Sequence, residues 1–177
     1  DREKLDSPDG FSLQRVDAAY VFDNSNFGMT APVDGQRYRL SVEKFFGEVN
    51  HLSTLIDYRR YVHTRPITLA FRFYNNARWP MEYNDLFSPL YLGYPWFVRG
   101  YESRDIYERQ NTTSGLTIDN LFGNNLFVSN LEVRIPLTGP KRLALIKSRM
   151  LFSDLNFFVD GGLALENDFN IGNDWLN

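Results

Sequence analysis

Cysteine is absent from the 177 residues, so neither a disulfide nor a thiolate metal site is open to this chain, and the compartment stays undecided on that ground. Also missing is any apolar run near the roughly 18 residues that a membrane-crossing helix needs. A helical membrane protein is thereby excluded. Charge of one sign does not accumulate: 19 Lys and Arg stand against 22 Asp and Glu, for a formal net charge of −3. The basic residues are scattered, which argues against a nucleic-acid surface. Histidine is sparse. His51 and His63 each adjoin a short turn and read as solvated loop side chains rather than as a base or a ligand. There is no Gly-x-Ser-x-Gly elbow, His-Glu-x-x-His pair or phosphate loop, so no hydrolase or nucleotide chemistry is indicated. The stretch 168–174, DFNIGND, resembles a calcium loop but lacks the spacing and the distal Glu. The expectation is a chain that is not an enzyme, with no cofactor and no metal.

What the chain does contain is aromatic side chains, 16% of all residues, and alternation of period two. Residues 1–10 are polar, end in a turn signal and read as a linker; the domain proper is expected over 11–177, as a piece of a longer polypeptide. Over 11–22, Val16, Ala18, Tyr20 and Phe22 alternate with Arg15 and Asp17. Over 36–46, Tyr38, Leu40 and Val42 face away from Arg37, Arg39, Ser41 and Glu43. Short turns then join two more segments, 52–62 and 67–74, so these should run antiparallel. Two further strands are expected near 126–135 and 155–165, where Val133 opposes Glu132 and Arg134, and Phe157 and Val159 oppose Asp160. Residues 138–150 are basic and suit a short amphipathic turn or helix.

Between the fourth and fifth strands lies a connection of about fifty residues, 75–124, far longer than connections inside a compact domain usually are. It holds Trp79, Tyr83, Phe87, Tyr91, Tyr94, Trp96, Phe97 and Tyr101, too much apolar surface for a disordered segment.

Six strands without helices indicate an all-β protein, but alternation alone does not choose between a soluble β-sandwich and a transmembrane β-barrel. Three features favour the barrel. The strands approach the roughly 9 to 11 residues of a tilted membrane strand, aromatics gather near strand ends, and the polar face carries charges of both signs in mid-strand. Six strands fall short of the bacterial minimum of about eight, so further strands are expected from the same polypeptide.

The most pointed stretch is Phe97-Val98-Arg99-Gly100-Tyr101. An Arg before a Gly among apolar neighbours asks for a tight turn that presents one guanidinium; from these five residues alone an exposed surface turn is the better reading. In context it joins other pieces: Asp23-Asn24 with Pro32-Val33-Asp34-Gly35, Glu132-Val133-Arg134-Ile135-Pro136, and Phe158-Val159-Asp160-Gly161-Gly162. In their order these resemble the carboxyl-terminal barrel of the surface-antigen superfamily, typified by BamA and TamA. One departure is the extra glycine, Gly161, before the Gly162 that the pattern calls for.

The resemblance implies an antiparallel transmembrane barrel in the bacterial outer membrane, present here as about strands eight to thirteen of about sixteen, with the long loop inserted in the lumen. It further implies that Val98, Arg99, Gly100 and Tyr101 lock that loop against Glu132 and Asp160. The implied function is outer-membrane protein assembly or translocation. The implied partners are outer-membrane lipid, client outer-membrane proteins and accessory lipoproteins. Asp57-Tyr58-Arg59-Arg60-Tyr61 and the run 35–40 also resemble a Bacteroidota subgroup in which such a barrel follows a TolB-like propeller, which would make the barrel a membrane anchor or scaffold. The third reading is a soluble β-sandwich binding module.

Overall fold

A computed structural model describes residues 12–80, 88–100 and 118–166. The expected linker 1–10, Tyr101 and the calcium-like stretch 168–174 lie outside the described residues. In chain order the elements are β1 (Leu13–Asp23), β2 (Asn26–Phe27), β3 (Pro32–Gly47), β4 (His51–Thr64), β5 (Ile67–Pro80), β6 (Leu90–Tyr91), a 3-10 turn (Ile118–Leu121), β7 (Phe122–Gly123), β8 (Asn125–Gly139), β9 (Ile146–Lys147) and β10 (Ser153–Leu165). No helix of the described residues is long and apolar enough to cross a membrane.

The six long strands form one antiparallel sheet in the order β1-β3-β4-β5-β8-β10, with β2 and β9 as short additions to β3 and β8 and with β6-β7 as a separate ribbon. Consecutive long strands are neighbours throughout, as short turns and an unknotted chain favour. The sheet is not closed; it is a partial β-barrel. The connection between β1 and β3 is tied back on itself: Asn24 N donates to Gln36 O at 3.0 Å, and Asn24 Oδ1 accepts from Gln36 N at 2.8 Å. A Cβ on Gly35 would come 2.5 Å from the Asn24 carbonyl, so the Asp23-Asn24 and Pro32-to-Gly35 pieces need each other at close range.

Register decides the faces, because side chains alternate along each strand and directly paired residues share a side. Phe22 pairs with Tyr38 and Tyr20 with Leu40; Tyr38 pairs with Tyr58 and Leu40 with Ile56; Tyr58 pairs with Phe73 and Val62 with Leu69. Leu69 then pairs with Val133, and Val133 with Phe157. One outer face thus carries the apolar set, of which Val16, Tyr20, Leu40, Val42, Leu69, Phe71, Phe157 and Val159 are exposed. Phe22, Tyr38, Tyr58 and Phe73 lie in one row across four strands, with stacked rings 5.1 Å apart for Phe22 and Tyr38 and 6.4 Å for Tyr38 and Tyr58. Such a row suits the level where hydrocarbon gives way to headgroups. Two charged residues stand on this face, Arg60, paired with Phe71, and Lys44, paired with Val16 and Leu52; their long stems let the cations reach polar surroundings.

Three expectations are corrected. β5 runs on to Pro80 because Asn75, Asn76, Ala77, Arg78 and Trp79 keep their pairing with β4, so the long connection starts after residue 80 and Trp79 belongs to a strand. His51 and His63 belong to β4 rather than to loops; His51 is buried and stacks on Phe45 with ring centres 4.3 Å apart. Phe45, expected with Phe46 among the strand-end aromatics of a membrane girdle, instead points inward, on the side that Arg39 and Glu43 share by alternation. Of the two forms expected within 138–150, turn or helix, residues 140–145 take the turn, closed by the Leu143 and Ala144 amides, which both donate to Pro140 O.

A cysteine at Leu40 is expected to react with a lipid-phase label and one at the adjacent Arg39 with an aqueous label, and Leu40→Arg should cost about 2 to 4 kcal/mol if this position lies near the bilayer midplane. Aqueous labelling of both positions would contradict a lipid-facing sheet.

Candidate functional site

The inner face of β5, β8 and β10 is where the long connection returns to the sheet. Two sequence patterns prepare it. In β8, Asn130, Glu132 and Arg134 share the inner side; in β10, Phe158, Asp160 and Gly162 share it, and pairing sets Asn130 opposite Asp160 and Glu132 opposite Phe158. A single wall therefore offers an amide, two carboxylates, a guanidinium, a ring and a bare glycine.

Arg99 occupies this wall. Its Nε and Nη2 donate to Asp160 Oδ2 and Oδ1, both at 2.7 Å, which is the bidentate fork geometry of strong carboxylate recognition. Its backbone N also donates to Asp160 Oδ2 at 3.1 Å, and Nη1 donates to Glu132 Oε1. The guanidinium lies over the Phe158 ring, 3.8 Å from its centre, so the cation meets a π face on one side and carboxylates at its edge. Glu132 is shared: its other oxygen accepts from Arg134 Nε at 2.7 Å, and Arg134 Nη1 donates to Pro32 O at 3.2 Å. Hydrogen bonding to Asp160 first, reinforced by Glu132, raises the Arg99 pKa above its ordinary value despite partial burial. The cation is permanent.

The neighbouring loop residues are held too. Arg72 Nη1 donates to Trp96 O at 3.0 Å, while the same guanidinium is fixed by Asp57 at 3.2 Å through Nε and Nη2, and Asp57 is also bound by Arg59. Asn130 Nδ2 donates to Phe97 O at 2.8 Å. Loop backbone at 96 and 97 and both backbone and side chain at 99 are thus bonded to three different strands. Beside the polar contacts runs an apolar patch, in which Leu90, Leu92 and Val98 from the connection pack with Tyr74, Leu126 and Val128 from the wall.

Two glycines make this docking possible. Gly100 has φ of +81°, a conformation that side-chain-bearing residues rarely adopt, and a Cβ there would meet nothing within 4 Å; its requirement is conformational. Gly162 is the reverse case. A Cβ there would come 2.9 Å from Leu92 and 3.0 Å from Val98, so the wall must be bare where the loop presses on it. Gly161 has no neighbour within 4 Å of such a Cβ and no part in the contact.

Burial differs across the lock. The Asp160 side chain is 2% exposed, Glu132 17% and Arg99 34%. Beside the lock lies a cavity of about 240 Å³ that Arg72, Trp96, Arg99, Asn130 and Glu132 help to line. Of the residues expected at the site, Val98, Arg99, Gly100, Glu132 and Asp160 are brought together, while Tyr101 lies outside the described residues. Sequence reasoning missed Asn130, Arg72, Phe158 and Gly162 as contact residues. The available signal was period two itself, because Asn130 and Phe158 each stand two residues before the carboxylates that it did single out.

A family model, that of the Omp85 superfamily domain, matches residues 4–174. No curated protein and no solved structure matches the chain.

Removing either partner strands the other's charge. Arg99→Ala and Asp160→Ala are each expected to cost about 2 to 3 kcal/mol, below the roughly 3 to 5 of fully buried pairs because part of Arg99 stays wet. The double variant should cost clearly less than the sum; strict additivity in heat-resistance or denaturant measurements would show that the two do not act together. Independently, Gly162→Val should expose the connection to protease while Gly161→Val leaves it protected, and equal protection in both would contradict the close approach at Gly162.

Proposed function

Because the chain belongs to the Omp85 superfamily, whose members are outer-membrane proteins, we propose that it forms one wall of an outer-membrane barrel that works in the assembly or translocation of outer-membrane proteins. The observation that carries this reading is a long connection pinned by Arg99 to Asp160 and Glu132 behind a sheet whose opposite face is apolar. A barrel that handles other chains has to keep its lumen from standing open, and a loop tied to β5, β8 and β10 fills one side of it at fixed depth. The remaining strands of the barrel come from the same polypeptide. Its partners are outer-membrane lipid, client outer-membrane proteins and accessory lipoproteins of a Gram-negative envelope. No nucleic acid is bound, no bond is made or broken, and neither cofactor nor metal takes part.

The second reading, a barrel that anchors or scaffolds a surface complex, is favoured by the resemblance of 35–40 and 57–61 to propeller-bearing barrels. It needs the same lock but no client. A soluble sandwich would cover the apolar face with a second sheet, which suits neither the family nor a charged inner face already covered by a loop.

The discriminating experiment replaces the native protein in living cells by full-length Arg99→Ala or Arg99→Lys. Folded outer-membrane proteins, scored by heat-modifiable migration, should fall several-fold with Ala and recover only in part with Lys, whose point charge lacks the planar fork. Unchanged client levels, with the barrel inserted and its connection freed, would move the protein to the anchor reading.

A further inference from the structure

One end of the sheet carries a cluster that the lock does not use. The Arg65-Pro66 turn between β4 and β5 and the connection between β8 and β10 lie side by side, and Arg65, Pro66, Lys141, Arg142, Leu143 and Ala144 line a hollow of about 410 Å³. Every charged residue of the connection 140–152 is basic: Lys141, Arg142, Lys147 and Arg149. All four, and Arg65, are exposed. Asp154, the first acid after the connection, receives the Thr30 hydroxyl and makes no ion pair with these cations among the described residues. They are offered outward.

The backbone that carries them is built rather than trailing. Leu145 N donates to Pro136 O at 3.0 Å and Ser148 N to Gly139 O at 2.8 Å, and β9 pairs with the end of β8. Interleaved with the cations are Leu145, Ile146, Met150, Leu151 and Phe152, all exposed, Met150 to 96%. A ribbon in which cations are mixed with bare apolar side chains, placed where the outer apolar face of the sheet ends, has the composition of an interfacial segment: stems and apolar groups enter the acyl boundary and cations meet phosphates. A nucleic acid or acidic protein would satisfy the charges but leave the apolar side chains in water.

We infer that the hollow between Arg65 and Lys141-Arg142 is a binding site for the phosphodiester headgroup of an anionic phospholipid, with 145–152 lying in the interface beside it. The site deepens the outer-membrane reading and rests on it. It gives the barrel a lipid-dependent anchor at its turn end, the end opposite the docked connection. Each cation near an anionic surface adds attraction of similar size, so three together distinguish charged from zwitterionic lipid by a wide margin.

The test uses the full-length protein, moved from non-ionic detergent into vesicles of phosphatidylethanolamine alone or with phosphatidylglycerol, then re-extracted mildly and examined for bound lipid by native mass spectrometry. The wild type should retain phosphatidylglycerol selectively. The Arg65→Gln/Lys141→Gln/Arg142→Gln variant should insert equally well but retain it roughly 10- to 100-fold less. If that variant loses its heat-resistant form, Lys141→Gln/Arg142→Gln, altering two exposed side chains only, must show the same direction of change. Equal retention of both lipids by wild type and variant, with normal insertion, overturns the headgroup site and leaves the barrel reading standing. Failure of the wild type to insert into either vesicle overturns the barrel reading and the site with it. Displacement of the lipid by millimolar inorganic phosphate marks a small-anion site and also overturns the proposal, as does co-purification of a protein that takes the place of lipid on these residues.

Discussion

The structure depends on one exchange: the segment that returns to the sheet at 96–100 gives up the conformational freedom of an unfolded chain, and the permanent cation of Arg99 is met there by two carboxylates fixed on the wall. Ordering backbone costs about 1 to 2 kcal/mol per residue, which no single ion pair offsets. What makes docking favourable is that Arg99 brings several contacts at once. Asp160 takes both edges of the fork and the backbone amide, Glu132 takes the remaining corner, and Phe158 takes the face. These partners are supplied by strands that hold one another in register, so the wall side of the lock is fixed by the sheet rather than by the loop.

The charges behind the lock form a connected set rather than isolated pairs. Glu132 joins Arg99 to Arg134, and Asp57 joins Arg59 to Arg72, which in turn holds the loop at Trp96. A carboxylate between two guanidiniums keeps its acceptor sites filled, so each charge moved out of bulk water has a partner. The apolar patch of Leu90, Leu92 and Val98 on Tyr74, Leu126 and Val128 supplies non-directional attraction, and the ion pairs decide where along the wall the loop settles.

The two faces of the sheet follow opposite rules. Outside, the residues that would be a soluble protein's core are exposed, and an aromatic row marks a level across four strands. Inside, a core does exist, but only where the connection covers the wall. The turn end adds a third chemistry, cations interleaved with bare apolar groups, which suits neither a dry core nor open water.

Much of this was legible in the chain. Period-two alternation gave the six long strands and the sorting of Leu40 from Arg39 or Val159 from Asp160, because each residue in a strand reverses side. Paired short turns gave the antiparallel order, and an Arg-Gly inside a long aromatic connection, together with acids on the next two strands, pointed to the meeting of Arg99 with Glu132 and Asp160. Tertiary structure alone decided the rest. Leu126 and Val128 sit on the inner side with the charges, and only the covering loop turns them from misplaced apolar residues into a core. Alternation puts Phe45 on the side of Arg39 and Glu43, but that it meets His51 there is decided by the pairing of β3 with β4. Gly162 matters and Gly161 does not because of side chains some sixty residues away in the chain. The aromatic row and the basic hollow at Arg65 and Lys141-Arg142 likewise arise from register between strands. Local sequence sets which way a side chain points; which other side chain it meets is set by pairing across long separations, and that information is spread over the whole sheet.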